Sequence, residues 1–255
     1  MNIKTIIKVA ALAATIMSLS SCYIRLSDSA REDIRKNFPR VTYGELDSVV
    51  YRPGDFSKMT ASGRFDVIFV ADTTDPRVVV VGRSNLRDSV KVKNDDGTLR
   101  IFRIVESHSD EKVIVFHPGV NDVTSYGSGD IHFRGTFHTD TLRLRNGSGD
   151  LSADSMLDCE VLYLQNNGSG DVKGSFSCRK AYVDGVGSGD MRLTIRGADS
   201  LRVDLRGSGD MRIDGDAVNV DFSKAGSGDV DARNLKAGKV TVSSKSGSGE
   251  LRYKD

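Results

Sequence analysis

Seven acidic side chains recur at a near-constant interval: Asp130, Asp150, Asp171, Asp190, Asp210, Asp229 and Glu250. Each closes a Gly-Ser-Gly-acid tetrapeptide, and successive tetrapeptides begin 20, 21, 19, 20, 19 and 21 residues apart. Stacked one above another at ~4.8 Å, such carboxylates would repel unless hydrogen-bonded, screened or bridged by cations. One chemistry open to them is a Ca²⁺ ladder, because Ca²⁺ collects roughly six to eight oxygen ligands. Calcium-binding Gly-Gly-x-Gly-x-Asp repeats have a different period and acid position. The preferred reading is therefore structural: each acid accepts a nearby backbone N–H and caps its own corner. No cofactor is expected.

Cys159 and Cys178 each lie nine residues ahead of the next Gly-Ser-Gly, where the other repeats carry His138, Ala198, Ala217 and Gly238. Side chains in one column of adjacent strands have Cα atoms within the roughly 4.4–6.8 Å window of a disulfide. An exported chain could oxidise the pair. Two stacked, buried thiols are the alternative, and the spacing leaves both open.

Catalysis is not indicated. The four histidines, His108, His117, His132 and His138, show no His-Glu-x-x-His spacing. The serine of Gly-Ser-Gly lacks the strand-to-helix setting of a nucleophile elbow. A polysaccharide lyase or hydrolase needs a local cluster of acids and bases, whereas here both recur by register. Tyr163, Tyr182 and outward arginines along one face fit sugar binding better than turnover.

The elements that hold these residues follow from the repeat. After each acid comes an apolar residue (Ile131, Leu151, Val172, Met191, Met211, Val230, Leu251), then a polar one, then a mostly apolar one. Period-two alternation describes a strand with one buried face. Short alternating stretches such as Leu142-Arg143-Leu144 and Leu162-Tyr163-Leu164 precede the tetrapeptides. Each unit thus reads as strand, tight corner, strand and a looser return. Twenty residues cannot close a core alone, so successive units must stack with each strand parallel to its copy. The expected fold is all-β, a parallel β-solenoid of about 20 residues per coil, and six steps add roughly 29 Å. The corner glycines are Gly127, Gly129, Gly147, Gly149, Gly168, Gly170, Gly187, Gly189, Gly207, Gly209, Gly226, Gly228, Gly247 and Gly249. They are expected to supply positive φ or close approach. Residues 56–126 contain β-branched runs such as Val78-Val79-Val80-Val81 and turn signals at Ser62-Gly63 and Asp95-Asp96-Gly97. They read as earlier, wider coils or a small β cap, ahead of the regular coils of 127–255.

The N-terminus carries an address. Lys4 and Lys8 precede a short apolar run and then Leu19-Ser20-Ser21-Cys22. This describes a secretory signal over residues 1–21, too short for the about 20 apolar residues of a membrane span. The last four residues resemble a bacterial lipobox, which makes Cys22 the expected lipidation site and residues 22–55 a tether and entry segment. With the leader removed, 34 basic groups face 35 acidic ones, no footprint for nucleic acid. A chain 38% hydrophobic and 28% charged is neither disordered nor a multi-span membrane protein.

Lipobox, strand-rich entry and corner ladder together resemble the auto-transporter adhesin, head GIN domain family of Bacteroides-type envelope lipoproteins. The resemblance runs from about Phe56 to the C-terminus and includes Arg64-Phe65-Asp66-Val67-Ile68-Phe69, Asp96-Gly97-Thr98-Leu99-Arg100-Ile101 and the seven corners. It implies a right-handed β-helix on the cell envelope, most naturally the outer membrane, acting as a non-catalytic adhesion or interaction module. Its expected partners are the membrane, through the lipid, and host or envelope glycans or proteins. A carbohydrate-binding or carbohydrate-active β-helix and a structural envelope component are the alternatives. Which side of the membrane it faces is left open by the sequence.

Overall fold

The computed structural model describes residues 46–72, 75–83, 87–104 and 111–254. The leader, Cys22 and most of the expected tether lie outside them. Seventeen strands follow in chain order: β1 (Leu46–Tyr51), β2 (Lys58–Ser62), β3 (Asp66–Ala71), β4 (Arg77–Arg83), β5 (Val90–Asp95), β6 (Thr98–Arg103), β7 (Lys112–His117), β8 (Asp122–Ser125) and β9 (Ile131–Arg134). Then come β10 (His138–Asn146), β11 (Leu151–Asn166), β12 (Val172–Gly185), β13 (Met191–Leu205), β14 (Met211–Ala225), β15 (Val230–Ala232), β16 (Leu235–Ser246) and β17 (Leu251–Tyr253). Arg87–Ser89 forms a single 3-10 turn, and no α-helix occurs among the described residues.

From β8 onward the chain climbs one rung at a time, every neighbour parallel, as a β-solenoid of roughly 20 residues per turn. Each rung has a trailing wall that enters the Gly-Ser-Gly corner and a leading wall that leaves it. Leu144, Leu164, Val183, Val203 and Phe222 form one buried column of the trailing wall; Ile131, Leu151, Val172, Met191, Met211 and Val230 form one of the leading wall. The alternation read from the sequence is the alternation of burial: β12 runs buried, exposed, buried, partly exposed, buried from Val172. Burying apolar side chains of this size contributes about 1.5–3 kcal/mol each. The return expected to be loose is instead strand, since β11 continues for 16 residues through a register shift between Ser152 and Met156.

The N-terminal region departs from the expected succession of coils. β2 and β3 form a rung, but β6 and β7 form the rung beyond it, although they come later in the chain. β8 and β9 then return to the other side of β2 and β3. β5 pairs antiparallel with β6, β4 with β7, and β1 with β4. The expected entry segment thus contributes a strand that helps seal this end. At the other end, among the described residues, no rung covers β16 and β17, and the normally internal Val242 is 38% exposed.

Candidate functional site

The corners are built by close approach. A Cβ on Gly170 would fall well inside contact distance of the Gly149 carbonyl oxygen, and the same collision with the previous rung awaits a Cβ at Gly129, Gly149, Gly187, Gly189, Gly207, Gly209 and Gly228. Gly127 and Gly168 are equally enclosed, while Gly147 is looser, a Cβ there falling 2.9 Å from the Ser125 oxygen. Gly226 (φ +141°) and Gly247 (φ +85°) add a positive φ to the same crowding; Gly249 meets the Gly228 carbonyl. Crowding, more than φ, is what excludes side chains here.

The acids act between rungs. Oδ1 of Asp130 accepts the backbone N–H of Asp150 at 2.8 Å, and Asp150, Asp171, Asp190, Asp210 and Asp229 do the same for Asp171, Asp190, Asp210, Asp229 and Glu250 at 2.8–2.9 Å. This corrects the expectation that each acid caps its own corner. Asp66 extends the ladder by accepting from Asp130 N–H at 3.2 Å. Several outer oxygens lie against arginines: Arg192 is 3.2 Å from Asp190, and Arg252 is 3.2 Å from Asp229. No three acidic, histidine or cysteine side chains converge as metal ligands among the described residues.

Beneath three of the corners lies a buried polar side chain that the sequence reading missed, in a column that carries Gly185 and Leu205 on the two rungs between Asn166 and Lys224. Asn146 Nδ2 donates to the Gly149 carbonyl at 2.8 Å, Asn166 Nδ2 to that of Gly170 at 2.9 Å, and Lys224 Nζ to that of Gly226 at 3.1 Å. All three residues are buried. Their signal was a polar residue where the alternation calls for an apolar one, just before Gly-Ser-Gly.

Cys159 and Cys178 are register partners on β11 and β12, both buried and both thiols. The hydrogen bond between the sulfurs, and then burial, push the Cys159 thiol well above its ordinary value. Their column continues with Thr139 and Ala237, not His138 and Gly238 as tetrapeptide counting would have it. Of the histidines, His117 is buried, stacked on Phe56 at 4.0 Å, with Nδ1 2.7 Å from the Gly119 carbonyl oxygen. His132 lies 2.8 Å from Asp154 and His138 3.0 Å from Asp158, at separate places; His108 lies outside the described residues.

The trailing wall carries the arrangement with most to offer a partner. Tyr163 and Tyr182 stack at 4.9 Å with 7° between their planes, and the Arg143 guanidinium lies 4.9 Å over the Tyr163 ring. Both tyrosines are nearly two-fifths exposed. Shallow depressions lie on either side, one of about 240 Å³ bordered by Arg143, Gln165 and Asp184, the other of about 270 Å³ bordered by Arg202, Asn219 and Lys239.

Comparison with known families matches residues 55–193 and 174–253 to the family described as "Putative auto-transporter adhesin, head GIN domain". The chain belongs to this family. Solved structures share its fold. A putative adhesin from Bacteroides fragilis superposes with a TM-score of 0.69 at 23% identity, covering 82% of this chain and 97% of its own. A putative adhesin from Parabacteroides merdae gives 0.60 at 15% identity, over 83% and 97%. A putative lipid binding protein from Parabacteroides distasonis gives 0.52 at 17% identity, over 83% and 98%. No curated protein matches the chain. At these identities the structural likenesses speak to the GIN-domain fold alone.

Proposed function

We propose that this GIN-domain chain is a non-catalytic adhesion module of the bacterial cell envelope, anchored by lipid at Cys22 and acting through the outer surface of its trailing wall. The observation that carries the reading is the exposed Arg143–Tyr163–Tyr182 stack between two depressions. Tyrosine gives a rigid contact surface with an apolar body and a polar tip, and it orders at small entropic cost. The inter-rung bonds hold that surface stiff, so a partner meets a preorganised wall. Family membership and the adhesin descriptions of the neighbours from Bacteroides fragilis and Parabacteroides merdae support the same reading.

The test uses intact cells producing the full chain. External protease is expected to remove it from wild-type cells, and Cys22→Ala is expected to abolish both fatty-acid labelling and retention. Cells carrying Tyr163→Ala/Tyr182→Ala should lose adhesion to immobilised matrix or mucin while displaying the same amount of protein. A chain protected from protease on intact cells would overturn the adhesive reading.

A further inference from the structure

Resting on that adhesive reading, we propose that the trailing wall binds an acidic polysaccharide, a chain of sugar rings bearing carboxylate or sulfate groups, laid along the solenoid axis from Tyr163 toward Lys239. Three observations converge on this chemistry.

The first is an unfinished stack. Arg143 covers one face of Tyr163 and Tyr182 covers the other. The second face of Tyr182 is turned toward the next rung, where Arg202 is its register partner but makes no ring contact with it. Beside Tyr182 the Lys180 column shortens to Ser200 and Asn219, and Tyr182's own column passes through Arg202 to Asp221 and Thr241, which together border the 270 Å³ depression. A flat ring with apolar C–H faces continues the stack into that space. An extended pyranose chain advances about one rung per sugar, so successive rings keep step with the wall.

The second is uncommitted positive charge. On or just beyond the leading wall, Arg192, Arg212, Arg233 and Arg252 are each held by a carboxylate at 2.6–3.3 Å. On the trailing wall Lys180, Arg202 and Lys239 are exposed and make no ion pair among the described residues. They stand on three rungs across about 15 Å at the strand spacing. Guanidinium and ammonium groups so placed favour a ligand that repeats its anions along its length.

The third is an orphaned acceptor. Oδ1 of Asp221, which borders the same depression, is buried without a hydrogen-bond partner. Asp221 as a whole is only partly buried, so its other carboxylate oxygen is the one a donor in the depression can reach. A simple polyanion offers no donor, and its charge would be repelled by this carboxylate. A sugar supplies hydroxyl donors for Asp221 together with anions for Arg202 and Lys239. Only the combination satisfies both.

The experiment measures binding of the full chain in detergent micelles to polygalacturonate and heparin as acidic glycans, with dextran (sugar without charge), polyglutamate (charge without sugar) and phosphatidylglycerol vesicles as alternatives. Saturable binding to at least one acidic glycan is expected, weakening steeply with salt, with the other three at least tenfold weaker. Tyr182→Ala should lower affinity at least tenfold. The double variant Arg202→Gln/Lys239→Gln should lower it and flatten its salt dependence, while Arg212→Gln on the leading wall should leave it unchanged. Equal binding of dextran or polyglutamate, preference for vesicles, or an unaffected Tyr182→Ala that retains the wild-type melting temperature would each overturn the proposal. Absence of glycan binding with adhesion by cells intact would overturn it and leave the adhesive reading standing.

Discussion

The backbone N–H of Asp190 donates to Oδ1 of Asp171 at 2.8 Å, and the carbonyl oxygen of Asp190 accepts from the N–H of Val172 at 2.8 Å. One residue therefore ties its rung to the one before it in both directions, once through a side chain and once through the backbone. Repeated up the stack, this makes the acid a fastener between turns and explains why one acid recurs at every corner.

Removing the acceptor tests that role. Asp171→Ala leaves the Asp190 N–H without its partner and is expected to cost about 1–3 kcal/mol in denaturant unfolding. Asp171→Asn keeps a side-chain oxygen at the same place and should recover most of the loss. Because the inner oxygens are already engaged and several outer ones face arginine, calcium titration is expected to leave the melting temperature unmoved. A rise with calcium would restore the cation-ladder reading.

The corner glycines separate two physical causes. Gly170→Ala drives a methyl group into the Gly149 carbonyl and is expected to destabilise by about 3 kcal/mol. Gly147→Ala has more room, its nearest neighbour being 2.9 Å away, and should cost distinctly less. Equal melting temperatures for the two variants would refute close approach as the reason for glycine.

His117 gives the molecule a predictable acid limb. Burial holds its imidazole below the ordinary value of 6.5, against the Gly119 carbonyl, whose hydrogen bond raises it. The unfolded chain takes up the proton first, so this contribution is complete above about pH 6.5 and declines as the pH falls toward the folded value. His117→Gln keeps a donor for Gly119 and removes the titration. Its stability should be lower overall, through loss of the Phe56 stack, but flatter below pH 6.5 than that of the wild type.

We expect Cys159 and Cys178 to bridge when the protein is isolated from an oxidising compartment. Their register pairing places the two sulfurs within hydrogen-bonding reach, and closing a loop of about 20 residues contributes about 3 kcal/mol. Mass spectrometry after alkylation without reductant reads the outcome. Two alkylated cysteines in that sample would rule the bridge out in favour of packed thiols.

The solenoid was legible from residue 127 onward because one tetrapeptide recurs on a fixed period, and alternation named the buried columns. Three things were hidden for physical reasons. The rung of β2 and β3 has Gly63 and Asp66 at its corner but Phe65 in place of the second glycine, which erases the motif. The rung of β6 and β7 comes later in the chain than its place in the stack, and no periodicity encodes an excursion of that kind. Longer turns also place their extra residue near the corner. In the 21-residue step to Gly168 the Asn166–Asn167 pair absorbs it, so Arg143 pairs with Tyr163 and Thr139 with Cys159. Counting from the tetrapeptides aligns Tyr163 with Tyr182 but sets Leu142 opposite Tyr163, which is why the two tyrosines were visible in the sequence and the place of Arg143 over them was not.

Since the lateral bonds of each turn are drawn from the same few positions, residues 187–206 form an interchangeable module. Excising that stretch joins Val186 to Gly207, preserves a complete corner and leaves both extremities of the stack as they were. The molecule is thus built like a measuring rod whose length changes in whole increments, so that reach can vary between homologues without redesign of either end.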